Sequence, residues 1–236
     1  ELGRVDEAIE IFDGIRASRP GFEQALWHRS LAYLLKGDFH RGWEHYDLRL
    51  LSRDRAQRSQ DYAPWQGENP DGSAVLVYGE QGLGDEIMFA SCLPQLIEKS
   101  RHYVIECTDK LLTLFQRSFP GAVVRPAAPP AKDEAFDFQV ATGSLPKYMR
   151  QAAVDFPQHV GYLRADSRRM AACRDRLAAL GPGLKVGISW LGGSYNSRSP
   201  VRSIPLKNWG NILQVPGVHF VDLQYSDCAE EISDVR

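Results

Sequence analysis

The chain has 236 residues with 43% hydrophobic and 25% charged side chains, a net charge of −2 and a pI near 6.3. That balance belongs to a folded globular protein, and at about 150 residues per domain it allows two compact units. It gives no support to nucleic-acid binding, no apolar run approaches the ~20 residues of a membrane span, and Glu1 to Glu7 lack the basic and apolar regions of a secretory signal. Cys92, Cys107, Cys173 and Cys228 have no metal-binding spacing and read as reduced, mostly buried thiols of a cytoplasmic protein. The six histidines are scattered, with no HExxH, so neither metal nor cofactor is expected. The chain begins without Met and inside a pattern, and is expected to be a fragment.

The first pattern is a repeat. Gly3, Ala8 and Phe12 match Gly37, Gly42 and Tyr46 at a constant offset of 34 residues. The glycine turns the chain between helices, the small residue lets two helices approach, and the aromatic fills the groove beside it. Pro20 closes the first unit. Leu26, Ser30 and Tyr33 fall on one face of a helix from about Phe22 to Lys36. Period and residue types together resemble the tetratricopeptide repeat over residues 1–50. Arg29 stands where that family has an apolar residue and Asp54 where it has the closing proline. The resemblance implies either a concave surface for a protein partner or a helical spacer, with further repeats expected upstream of Glu1.

Residues 57–73 are rich in turn formers and read as a linker, with Trp65 as a plug between domains. Strand and helix then alternate. Strands are expected at Ala74–Tyr78, Tyr103–Cys107, Ala122–Arg125 and Asp137–Ala141. Helices are expected at Asp85–Lys99, with a break at Pro94, and at Asp109–Phe119 and Ser144–Gln151. The rhythm predicts a parallel, doubly wound sheet over 74–160. A second such pattern over 161–236 has a helix at Asp166–Leu180, a strand at Lys185–Trp190, a helix at Leu206–Leu213 and a strand at Val218–Gln224. Two strands do not close an α/β domain, so sequence is expected beyond Arg236.

Two constellations carry chemistry. Gly79-Glu80-Gln81-Gly82-Leu83-Gly84-Asp85 is a glycine-rich turn between a strand and a helix. Bare backbone and a helix N-terminus there favour an anion or sugar-phosphate, with Gln81, Gly82 and Gly84 as binding positions. Asp85 is either the helix N-cap or a general base facing a cleft. The second constellation follows the strand ending at Ser189-Trp190, where Gly192 and Gly193 precede Arg198 and Arg202. It is either a solvated loop or a diphosphate site, and Gln224 ends the neighbouring strand.

Together the Gly79–Asp85 turn, Ser144-Leu145-Pro146, Val186–Trp190, Arg202–Leu206 and Leu223-Gln224 resemble bacterial tetratricopeptide-repeat glycosyltransferases. The transferase part is similar to heptosyltransferases and, more distantly, to O-linked N-acetylglucosamine transferases. The resemblance implies an α/β GT-B architecture: helical repeats at 1–56, an acceptor-side Rossmann-like domain at 74–160 and an incomplete donor-side one at 161–236, with the active site between them. It implies that Asp85 is the base, that Arg198 or Arg202 holds the donor diphosphate, and that Gln81, Gly82, Gly84, Ser189, Trp190 and Gln224 contact substrate or donor. Partners would be a nucleotide-sugar and a protein or glycan acceptor. No Asp-x-Asp pair exists for a diphosphate-bound metal, and a GT-B site can neutralise the diphosphate with Arg and a helix N-terminus instead. A non-catalytic repeat scaffold is the alternative. A dinucleotide-dependent oxidoreductase is disfavoured, because G-x-x-G-x-G is not the Rossmann fingerprint.

Overall fold

The computed structural model describes residues 3–51, 62–67, 72–99, 102–127, 135–158, 161–192 and 203–235. It is mixed α/β and divides into two compact units, Glu1–Arg164 and Ala165–Arg236. Among the described residues no helix is long and apolar enough to cross a membrane, and no group of three or more His, Cys, Asp or Glu could hold a metal ion.

The first unit opens with α1 (Val5–Ser18) and α2 (Glu23–Lys36), packed as an antiparallel hairpin. The Asp6–Lys36 pair at 2.5 Å joins the start of one helix to the end of the other. Gly37 ends α2 in the left-handed conformation, φ 82°, and the Asp38 side chain accepts from the Arg41 amide to cap α3 (Phe39–Glu44). A Cβ at Gly42 would lie 2.7 Å from Leu34 Cγ and 3.1 Å from the Leu34 amide nitrogen, so a small residue lets α3 pack closely on α2. Arg29 is buried because it bonds Asp13 of α1 at 2.6 Å and lies over the Tyr33 ring. A 3₁₀ turn, Tyr46–Leu51, ends the described helical segment.

Five parallel strands follow: β1 (Ala63–Pro64), β2 (Val75–Tyr78), β3 (Tyr103–Cys107), β4 (Val123–Pro126) and β5 (Phe138–Ala141), in spatial order β1-β5-β2-β3-β4. Val75, Val77 and Ile105 are essentially inaccessible, as apolar strands covered by helices should be. The segment read as a linker therefore supplies an edge strand. Trp65 is not a plug between domains: it lies in the core of this sheet, edge-on to Tyr148 with ring centroids 5.0 Å apart.

The helix expected at Asp85–Lys99 is two: α4 (Leu83–Phe89) and α5 (Leu93–Lys99), separated by a 3₁₀ turn at Ala90–Cys92. The break precedes Pro94 because Pro94 is the second residue of α5, where a missing N–H removes no helical bond. Then come α6 (Leu112–Ser118) and the short α7 (Pro146–Met149). Tyr162 donates to the Ile87 carbonyl at 2.7 Å and packs with Leu163 on the sheet core, so this unit runs to Arg164.

The second unit holds α8 (Ser167–Ala178), β6 (Leu184–Ile188), α9 (Gly210–Leu213), β7 (Val218–Asp222) and α10 (Ala229–Asp234). β6 and β7 pair in parallel, and Trp190, Leu206 and Cys228 form a small core. Both strands are shorter than expected. Past Ile188 the chain bonds to the Gln224 side chain instead of to a neighbouring strand.

Burial pushes the Tyr103 phenol up to about 12 and the Cys107 thiol up to about 11, against ordinary values of 10.0 and 9.0. Glu86 and Asp109 add to the Cys107 shift. Both groups are largely neutral in either state below about pH 8. Above that the unfolded chain ionises first, so stability falls as pH rises toward 12. Urea midpoints measured at neutral pH and above pH 10 should show the drop; equal midpoints would rule out the burial effect.

Candidate functional site

The order of the sheet creates one distinctive place. β2, β3 and β4 advance to one side, and β5 returns to the other side of β2, with Tyr78 opposite Ala141. The winding thus reverses between β2 and β5, the position where open parallel sheets leave a crevice beyond their carboxyl ends. The turn after β2 carries Gly79 to Gly82, and the turn after β5 is Thr142–Ser144. The Gly79–Asp85 turn and the start of the Ser144–Pro146 segment, which carries part of the family resemblance, therefore meet at one edge.

The three carboxylates of the first turn have different fates. Glu86 is buried; its carboxylate accepts from the Thr108 amide at 3.0 Å and from the Thr108 hydroxyl. A Cβ on Gly79 would stand 2.6 Å from Glu86 Oε2, which explains that glycine by close approach. Glu80 accepts from Arg49 Nε at 2.8 Å and Nη2 at 2.5 Å. Asp85 is half-buried and makes no hydrogen bond or ion pair among the described residues. It is not the N-cap. Gly82 holds that position with no side-chain bond, and Asp85 is the third residue of α4. The carboxylate leans back over the turn: a Cβ on Gly82 would lie 3.6 Å from Asp85 Oδ2.

The anion-binding expectation for Gln81, Gly82 and Gly84 weakens on this geometry. α4 has only seven residues, and its first turn carries Asp85 and Glu86, whose charges oppose an incoming phosphate. Gln81 is the single non-glycine residue with positive φ, 70°, among those described. Such a conformation is strained for a side-chain-bearing residue and persists only where its surroundings hold it. Gln81 Nε2 reaches the Tyr46 hydroxyl at 3.4 Å. Burial raises the Tyr46 phenol, and the charges of Glu80 and Asp85 raise it further, which places all three groups in one electrostatic neighbourhood.

The helical segment fills the crevice itself. The Arg49 side chain is fully buried and, besides Glu80, donates to Asp47 Oδ1 at 2.9 Å, the Tyr46 carbonyl at 3.1 Å and Ser144 Oγ at 3.1 Å. Ser144 donates to Asp47 at 2.6 Å, and Lys147 lies 3.4 Å from the other Asp47 oxygen. A Cβ on Gly143 would come within 2.7 Å of Arg49 Nη2. Trp43, Tyr46 and Phe89 form an apolar cluster beside this network, and Trp43 Nε1 donates to the Arg150 carbonyl at 2.8 Å. The Thr142 hydroxyl, at the end of β5, is buried without a partner among the described residues. Sequence reasoning missed Arg49 and Asp47, since an Arg and an Asp in a helical repeat read as surface charges. The dipeptide Gly143-Ser144 after a strand was the available signal.

In the second unit Ser189, Trp190 and Gln224 do come together. Gln224 Oε1 accepts from Ser189 Oγ at 3.0 Å and from the Trp190 and Leu191 amides at 3.2 and 3.0 Å. The Gln224 Nε2 group donates to the Leu191 carbonyl at 3.2 Å. The Trp190 indole is buried and donates to Glu231 at 2.8 Å, so its ring is a core group. Arg198 and Arg202 lie outside the described residues.

The chain is similar to Protein FlbA of Caulobacter vibrioides, with 32% identity over 255 aligned positions that cover 99% of this chain and 43% of FlbA. It thus spans less than half the length of that relative. No protein-family model matches the chain, and no solved structure matches it.

Proposed function

We propose that the chain is part of a GT-B glycosyltransferase, joined to tetratricopeptide-type helices, that moves a sugar from a nucleotide-sugar to a hydroxyl of a protein or glycan. The observation that carries this reading is the isolation of Asp85. Of the three carboxylates at the glycine turn, Glu80 and Glu86 bond Arg49 and Thr108, and among the described residues Asp85 alone has no bonding partner. A free carboxylate at the carboxyl end of a central strand, where the winding reverses, suits removal of a proton from an acceptor hydroxyl. The same negative charge disfavours a diphosphate on this turn. This supports an acceptor rather than the donor beside Asp85, and leaves Arg198 and Arg202 as the candidates to neutralise the leaving diphosphate.

A second reading is favoured by one observation. The crevice between β2 and β5 is filled by Arg49 and its partners, as in a scaffold that has given up catalysis. Titrating the full-length protein with UDP-, GDP-, ADP- and CMP-sugars beside NAD separates the readings. Binding of one nucleotide-sugar, with slow donor hydrolysis, is the expected result. Tight NAD binding would sink the transferase reading, and no nucleotide binding would leave the scaffold.

A further inference from the structure

We propose that Arg49, in the last described turn of the helical segment, is a positioning residue for Asp85, so that the helical segment is a working part of the site and not a detachable recruiter. The inference rests on the transferase reading for its kinetic consequence, but its structural core does not. Two of the three guanidinium nitrogens converge on one oxygen of Glu80, Nε at 2.8 Å and Nη2 at 2.5 Å. Glu80 immediately precedes Gln81, the residue in left-handed conformation, and Gln81 leads into the Gly82 cap of the helix that carries Asp85. The strained residue is gripped from the same side, since its amide reaches Tyr46 in the same 3₁₀ turn as Arg49. The opposite wall is shaped to the guanidinium. Ser144 accepts from Nη2, and Gly143 is bare where a Cβ would press on it. Three elements distant in sequence are thus fitted around one cation, and the segment it immobilises is the one that aims Asp85.

Lysine cannot replace this fork. Its ammonium is a point charge, and it cannot span Glu80, Ser144 and the Tyr46 carbonyl with fixed geometry. Without the fork the Gln81 turn is free to leave its strained conformation, and Asp85 moves with it. A misplacement of about 1 Å is enough to cost about 10²-fold in rate.

The test uses full-length protein carrying Arg49→Lys or Glu80→Gln, with amide hydrogen exchange followed by mass spectrometry. Faster exchange confined to residues 79–89, with β3 at its wild-type rate, is the expected result for both variants. With the nucleotide-sugar that binds wild type, kcat should fall about ten- to a hundredfold while the donor KM stays the same. Should Arg49→Lys fail to fold, Glu80→Gln decides alone. Wild-type exchange over 79–89, or loosening spread equally through β3, overturns the proposal. A wild-type protein without any transfer activity sinks the transferase reading instead, and confined loosening would still establish Arg49 as the residue that sets the turn.

Discussion

Asp85→Asn is expected to lower sugar transfer by about 10²–10⁴-fold, the usual contribution of a general base, while thermal unfolding stays near that of wild type. The geometry makes the stability half of this statement stronger than the sequence could. An N-cap aspartate replaced by alanine costs ~1 kcal/mol. Gly82 is the cap here, and Asp85 makes no cap bond, so alanine and asparagine should behave alike. Each loses only the interaction of a negative charge with the first turn of a short helix, about 0.3–1 kcal/mol. The side chain is half-buried and unpaired among the described residues, so removing it strands no partner there. Rates of transfer or of donor hydrolysis, measured beside melting curves for wild type and both variants, check the claim. An Asn variant with an undiminished rate would end the role of Asp85 as base. Neither neighbour could inherit it: Glu80 is held by a buried arginine, and Glu86 accepts two bonds from Thr108.

The parts of the fold that follow from local pattern were legible in the sequence. Val75–Tyr78 and Tyr103–Cys107 are apolar runs of strand length, and they are adjacent parallel strands. The helix stop at Gly37 follows from the residue type that the left-handed conformation demands. What escaped depends on partners distant in sequence. Arg49 and Glu80 are 31 residues apart, and Asp47 and Ser144 are 97 apart. No periodicity announces a charge that will be buried against another element. Of the two readings of Asp85, the N-cap falls for a local reason. Asp is a preferred cap, but the extended conformation that a cap needs fell three residues earlier, on Gly82, φ −146° and ψ 175°. The grouping of Ser189 with Gln224 was legible because both follow the ends of strands that sit side by side, and the segments leaving one end of such a pair are neighbours.

Trp65→Ala should cost about 3–5 kcal/mol in urea unfolding of the first unit, the range for removing a large aromatic from a packed core. This residue lies in a stretch whose composition reads as linker, and a linker tryptophan would cost within about 0.5 kcal/mol. The difference arises from the ring, which a fixed backbone holds in the core. The Trp65 amide donates to the Gln139 carbonyl at 2.9 Å, which extends the pairing of β1 with β5. Its ring is 4% exposed and packs edge-on to Tyr148. Two residues on, Gly67 turns with φ 88°, and a Cβ there would stand 2.6 Å from Tyr148 Cδ1, so the backbone itself is fitted against the same ring. Trp65→Phe keeps most of the apolar surface and should recover more than half of the loss. An alanine variant within about 0.5 kcal/mol of wild type would return residues 62–67 to the status of a tether. The predicted cost instead makes residues 62–67 part of the sheet, because a fragment beginning at Ala74 would lack both its edge strand and the tryptophan that closes its core.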